Sequence, residues 1–290
     1  MINIRGVRWS LHPLFAVLML LSVMTGYLAE LLTLFTLVFV HELGHAAAAY
    51  GYGWTIREIK LLPFGGVAEL EEKPGAPARE EAVIALAGPL QNVWMAAAAW
   101  GLGSLGWMDA GWADYLLRAN LLLLAFNLLP IYPLDGGRLL RIACGLRFTF
   151  YSTLRLTAWT GMAFSLVMIG YALLPQLHRS SGIQANLLAV GLFLLATNWT
   201  YRKHIPFLFL RFLVNRDRGA RRRIREGVRA RPIVVTQRHP VWTTARLFLR
   251  DHYHLVYVME ERGRIVKVLP EQRIIEGYLT GDRAVSDLLR

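Results

Sequence analysis

Residues 31–50 read LLTLFTLVFVHELGHAAAAY. As a helix rising about 1.5 Å per residue, such a run is long enough to cross a bilayer core about 30 Å thick. Three ionisable side chains sit inside it: His41, Glu42 and His45. Polar groups at membrane depth are costly and usually functional. Histidines at i and i+4 share one helix face, one turn apart, so both rings can reach a single Zn²⁺, with the glutamate beside them to take a proton from water. The stretch therefore announces a membrane helix that carries a metal site.

The rest of the chain supports a polytopic membrane protein. Of 290 residues, 55% are hydrophobic, and the mean hydropathy is +0.37, too apolar for an ordinary soluble domain. The lone cysteine, Cys144, excludes an internal disulfide framework and reads as a packing residue. Apolar runs predict six spans: Leu11–Ala29, Leu31–Tyr50, Glu81–Leu102, Trp112–Leu129, Tyr151–Leu174 and Ile183–Trp199. The basic start, with Arg5 and Arg8, lacks a clear small-residue cleavage site and reads as the flank of a retained first span.

Charge sets the orientation. Lys and Arg gather at the N-terminus, after the second span (Arg57, Lys60, Lys73, Arg79) and after the fourth (Arg138, Arg141, Arg147), while Arg118 and Arg179 are exceptions near span edges. The positive-inside rule then places both termini in the cytoplasm and the histidines in the cytoplasmic leaflet. Residues 1–200 read as a membrane domain and 201–228 as a basic amphipathic linker. Between Tyr201 and Arg231 stand eleven Lys/Arg against Asp217 and Glu226. Next to a span, that excess reads as an anchor to anionic membrane lipid rather than a nucleic-acid site. Residues 205–214, with Phe207, Phe209, Phe212 and Leu213 around Arg211, have the pattern of an interfacial helix.

A catalytic zinc takes three protein ligands and leaves a fourth position for water. Asp135, within Asn127-Leu-Leu-Pro130-Ile-Tyr-Pro133-Leu-Asp135-Gly136-Gly137-Arg138, ends the fourth span, which runs in the same direction as the second. It reads either as the third ligand or as a helix cap beside Arg138. Pro130 and Pro133 break the helix, and Gly136 and Gly137 allow a tight bend. Asn127 is placed either to hold a substrate carbonyl or to make an interhelical hydrogen bond. The Gly88-Pro89 pair in the third span either permits close helix packing or makes a kink.

The His41–His45 motif, Ala87-Gly88-Pro89-Leu90 and Asn127 through Arg138 together resemble the site-2 protease family of intramembrane metalloproteases. More narrowly, Leu61 through Gly66, Leu128 through Ile131 and a small tail after six spans resemble the sporulation branch of that family. The resemblance covers nearly the whole length. It implies Zn²⁺ held by His41, His45 and Asp135, Glu42 as general base and Asn127 facing the reacting carbonyl. It also implies a pro-sigma factor substrate (pro-sigma-K), inhibitory membrane proteins as partners and a place in the mother-cell membrane around the forespore. In that chemistry zinc acidifies its water and steadies the oxyanion, while Glu42 takes a proton and returns it to the leaving amine.

Two segments bear on substrate and control. Thr55–Lys60 and Val67–Glu71 alternate as strands around Pro63-Phe64-Gly65-Gly66, offering an edge for an extended substrate or else a plain interfacial loop. Glu69, Glu71 and Glu72 read as attraction for basic substrate residues or as solvated loop charge. From Arg229 the composition turns soluble. Strands at Pro232–Thr236, Leu255–Met259 and Ile265–Leu269, with helices at Val241–Arg250 and Glu271–Leu279, give an order similar to one cystathionine-beta-synthase (CBS) type module over 229–290. The resemblance implies ATP as its ligand and a homo-oligomer formed through it. Pro270 and Arg273 stand where many such modules carry Thr and Asp, so a docking platform for substrate is the other reading. Two rival functions complete the list. One is a metal-binding sensor or transporter. The other is a prenyl-protein type protease, which would draw its third ligand from a downstream Glu rather than Asp135.

Overall fold

The structure is a computed structural model that describes residues 2–4, 7–11, 19, 22–62, 65–71, 76–177, 184–227, 229–261 and 263–289. The chain divides into two compact units, Met1–Leu129 with Leu134–Leu139, and Pro130–Pro133 with Leu140–Arg290.

In the first unit, strands β1 (Ile2–Ile4) and β2 (Val7–Leu11) precede helix α1 (Leu28–Gly51), strands β3 (Thr55–Leu62) and β4 (Gly65–Glu71), and helices α2 (Ala78–Ser104) and α3 (Ala110–Asn127). The strands form one sheet in the order β1-β2-β3-β4. β2 runs parallel to β3 with Trp9 opposite Ile59, and β4 returns antiparallel with Ala68 opposite Ile59. The β3–β4 pair is the one the sequence predicts, though Pro63 and Phe64 lie outside the described residues. The N-terminal hairpin is not. There the basic residues drew the reading, while the alternation Val7, Trp9, Leu11 against Arg8 and Ser10 carried the strand signal.

α1 stops where Gly53 adopts φ +71°, a left-handed conformation that costs glycine little. The turn delivers Trp54 into a small cluster with Ala49, Ala76 and Ile84, which fixes the start of β3 against the helix end. α1 packs on α2, α2 on α3, and β3 and β4 lie alongside α1.

Among the described residues three helices are long and apolar enough to cross a membrane: Leu28–Gly51, Ala78–Ser104 and Phe150–Leu174. They correspond to the second, third and fifth expected spans. Their outward faces are apolar, with Trp94, Trp100 and Val167 all exposed. Water would penalise that surface, whereas lipid accepts it. Of the expected first span, residues 12–18 and 20–21 lie outside the described set, while Leu11 ends β2 and Leu28 and Ala29 open α1. The fourth lies on α3, which carries Asp114, Arg118 and Asn120 and is correspondingly less apolar.

In the second unit, α5 (Phe150–Leu177) packs along α6 (Ala185–Glu226), after α4 (Asp135–Gly145), a short helix that begins in the first unit. The tail follows with β5 (Ala230–Thr236), α7 (Val241–Ala245), β6 (Tyr253–Met259), β7 (Ile265–Pro270) and α8 (Glu271–Thr280), then a 3₁₀ turn at Val285–Leu289. Its sheet has the order β5-β6-β7, with β5–β6 parallel and β6–β7 antiparallel. Strand and helix order match the sequence reading, with α7 ending five residues before the expected Arg250.

Residues 201–228 were expected to lie on the membrane as a linker. Instead α6 is one 42-residue helix through Pro206, about 63 Å long. Ile205, Phe209 and Leu213, spaced four apart, are buried. Phe209 and Leu213 join Val256, Val258, Phe248 and Ile274 in the tail core. The stripe that looked suited to lipid is thus a packing face, while Phe207 on the other face stays exposed.

A buried charge completes this docking. Arg216 of α6 donates from Nε to Glu271 Oε1 at 2.9 Å and from Nη2 to Oε2 at 2.7 Å. It also reaches the carbonyls of Leu249 (2.8 Å), Arg250 (3.0 Å) and His252, and its Nη2 lies 3.0 Å from His254 Nδ1. The fork geometry of guanidinium suits this many acceptors. Burial alone would raise the Glu271 carboxyl, but hydrogen bonds from His254 and Arg216 and the Arg216 charge hold it below its ordinary value. Burial lowers His254, and the Arg216 charge adds to that despite the hydrogen bond with Glu271.

Acid should therefore loosen the tail. Below pH 6.5, the ordinary histidine value, the unfolded chain gains a proton that folded His254 resists. Below 4.5, the ordinary value for Glu271, the unfolded chain takes up a second proton that the folded carboxylate resists, and at lower pH still protonation removes the anion that Arg216 needs. Hydrogen exchange of β6 amides, followed as pH is lowered, should show protection falling from the histidine range downward. Protection that held flat through that range would contradict this.

Candidate metal centre

α1 turns 400° between His41 and His45, which stacks their rings on one face, centroids 4.8 Å apart and nearly perpendicular. Both are buried, as is Asp135. Asp135 is the first residue of α4. A tight turn presents it: Gly137 N and Arg138 N donate to Leu134 O, and a Cβ on Gly136 would strike Leu128 and Leu129 backbone atoms. His41 Nε2 and His45 Nε2 each lie 3.1 Å from Asp135 Oδ2, and 3.2 Å from one another. The three residues that the sequence singled out are thus brought together as one buried cluster.

The outer ring nitrogens set the tautomers. His45 Nδ1 lies 2.7 Å from the Ile84 carbonyl, which can only accept. His41 Nδ1 lies 2.6 Å from Asn92 Oδ1. Asn92 Nδ2 in turn donates to Asn120 Oδ1 (3.1 Å), and Asn120 Nδ2 donates to Leu116 O (2.9 Å). With both Nδ1 atoms protonated, both Nε2 lone pairs face Asp135 Oδ2. With both rings neutral, two lone pairs and a carboxylate oxygen converge in a buried pocket, a donor set that a metal cation satisfies. A tetrahedral zinc with bonds of about 2.0–2.1 Å sets its donors about 3.3 Å apart. The observed spacings fit, and the N₂O donor set is one that zinc accepts.

Gly88 explains how α2 comes so close. A Cβ there would meet His45 Nε2 and Cε1 and lie 2.7 Å from His41 Nε2. α2 runs on through Pro89 as a helix, so close approach rather than a break is what this pair provides. Glu42, on the same helix, is half-buried. Asn127 is the last residue of α3, also half-buried; the amide that reaches a histidine ring is Asn92 instead. Asn92 and Asn120 went unnoticed in the sequence. Their signal was available, since amides in apolar helices seek partners, but which partners could not be read from spacing.

Replacing Asn92 with Leu should weaken zinc binding by about 10–100-fold, as loss of a hydrogen bond to a metal-ligating histidine generally does. Chelator competition on the purified chain measures it, and unchanged affinity would remove Asn92 from the centre.

Comparison with known proteins agrees with this geometry. Residues 29–108 match the model of peptidase family M50. Stage IV sporulation protein FB of Bacillus subtilis is 33% identical, over 97% of this chain and 95% of its own length. A zinc metalloprotease of Methanocaldococcus jannaschii is 32% identical over 60% of this chain and 53% of its own. The solved site-2 protease from Methanocaldococcus jannaschii aligns with a TM-score of 0.53 and 28% identity, covering 69% of this chain and 93% of that one. With three apolar helices of spanning length, the chain is an integral membrane protein. It belongs to peptidase family M50, and is a zinc metalloprotease of the site-2 type.

Proposed function

We propose that this protein is an intramembrane endopeptidase that removes the pro-segment of a membrane-associated sigma-factor precursor of the pro-sigma-K kind. The convergence of the His41 and His45 Nε2 atoms on Asp135 Oδ2, all three within metal-ligand spacing, carries the chemical part. Identity along nearly the full length with a sporulation protein supports the substrate.

In this reading His41, His45 and Asp135 hold Zn²⁺, which supplies a Lewis acid and an activated water. Glu42 accepts the proton of the attacking water and hands it to the leaving amine. Asn127 donates to the carbonyl oxygen as charge builds on it. The Ile84 carbonyl and Asn92 keep both histidines in the ligating tautomer. β4 ends the sheet order, and its outer edge suits an extended substrate added as a further strand, the form in which a peptide bond is open to attack.

Six spans, cytoplasmic termini and the mother-cell membrane complete the proposal, supported by the charge pattern and the sporulation relative. The strand and helix order of the tail supports a CBS-like module; ATP as its effector and pairing between chains follow only from that likeness, and Pro270 and Arg273 stand against nucleotide contact. Inhibitory membrane proteins would act on the same enzyme.

The test is reconstitution. Purified protein in proteoliposomes with zinc should shorten a pro-sigma-K type precursor at its N-terminal pro-segment, and a chelator should stop it. An intact precursor beside zinc-loaded enzyme would sink the substrate assignment.

A further inference from the structure

Asn198 lies on α6 and is completely buried. Its Nδ2 donates to Leu194 O on its own helix at 2.8 Å and to Tyr132 O at 2.7 Å. Its Oδ1 is buried without a partner. Space for this amide comes from Gly161 on α5, where a Cβ would collide with Asn198 Oδ1 and Cγ. One turn along α6, the Tyr201 ring stacks on Tyr132, centroids 4.3 Å apart and planes 24° apart. Ile131 beside it is fully buried.

These contacts bear on a short segment with little means of holding itself. Pro130 and Pro133 have no N–H to donate, so carbonyls in the segment depend on donors from elsewhere. Two residues after Pro133 comes Asp135. A buried amide oxygen left unpaired is unfavourable, and a leucine would fill the site without that cost. What leucine cannot supply is the hydrogen bond to Tyr132 O.

We propose that Asn198 is a positioning residue for the metal centre, its amide fixing the Pro130–Pro133 segment that delivers Asp135 to the two histidines. This rests on the reading of His41, His45 and Asp135 as ligands. Asn198 touches neither substrate nor metal. It acts through Tyr132, with Gly161 as the space that lets it do so. Loosening the segment frees Asp135 while leaving the histidine pair on α1 intact, so metal affinity and ligand geometry suffer before the fold does.

The experiment compares full-length wild type, Asn198→Leu, Gly161→Ala, Ser165→Ala and Asp135→Ala in detergent. Zinc affinity is read by chelator competition, and site geometry by the visible absorption of the Co²⁺-loaded protein. Ser165 is a buried hydroxyl of the same α5 helix, bonded to Gly161 O at 2.7 Å, and serves as the packing control. Asn198→Leu should bind zinc about tenfold more weakly, with altered Co²⁺ absorption. Gly161→Ala, which keeps the amide but displaces it, should shift both readouts the same way and stands in if Asn198→Leu does not fold. Ser165→Ala should match wild type. Wild-type affinity and spectrum in both Asn198→Leu and Gly161→Ala would overturn the proposal, as would an equal loss in Ser165→Ala. Wild-type zinc binding by Asp135→Ala would instead overturn the ligand assignment on which the proposal rests.

Discussion

Cleavage by the Glu42→Gln variant is expected to fall by about 10²–10⁴-fold, the contribution typical of a positioned general base, while its zinc content stays at the wild-type level. Glutamine keeps the size and hydrogen-bonding reach of the side chain but cannot accept the proton of water. Glu42 is half-buried on α1 next to a ligand it does not replace. Its loss should therefore leave metal loading untouched, since His41, His45 and Asp135 form the buried cluster without it. The measurement is single-turnover cleavage of a tagged precursor alongside metal analysis of the same preparation. Unaltered cleavage would contradict the assignment. Loss of zinc together with activity would place Glu42 among the ligands instead.

The second large effect belongs to the tail. Glu271→Ala should destabilise the β5–α8 unit by about 3–5 kcal/mol, the usual consequence of leaving one buried charge without its partner. Glu271 is fully buried and takes both Arg216 nitrogens and the His254 backbone N–H at 2.9 Å. Removing it strands a guanidinium among Phe248, Phe212 and backbone carbonyls. The double variant Arg216→Met with Glu271→Leu should recover most of the loss, because apolar replacements of a buried pair are often neutral. Chemical denaturation followed by hydrogen exchange at β6 gives the numbers. A Glu271→Ala tail as stable as wild type would show that the pair is solvated in solution.

The sequence made the local parts of this account legible. The i, i+4 histidines could only share a face once residues 31–50 were a helix. The proline and glycine pattern around Asp135 announced a turn. In the tail, alternation and apolar periodicity placed three strands and the last helix close to their observed bounds, whereas the helix from Val241 ends at Ala245, five residues short of the expected Arg250. What stayed hidden depends on contacts between distant segments. Asn92 finding His41, Asn198 finding Tyr132 and Arg216 finding Glu271 are pairings that no spacing encodes. The same holds for Phe209 and Leu213. Their four-residue period revealed an apolar stripe, yet period alone cannot say whether lipid or a protein core will cover it. The N-terminal hairpin was missed for a different reason, its alternation being overshadowed by Arg5 and Arg8.

The most direct test of the central claim is the zinc stoichiometry of purified wild-type protein beside His41→Ala, His45→Ala and Asp135→Ala, measured by elemental analysis after dialysis against a weak chelator. One zinc per chain in the wild type and almost none in each variant is the predicted result. Full zinc occupancy in the Asp135→Ala protein, or in either histidine variant, would contradict a centre built from these three residues.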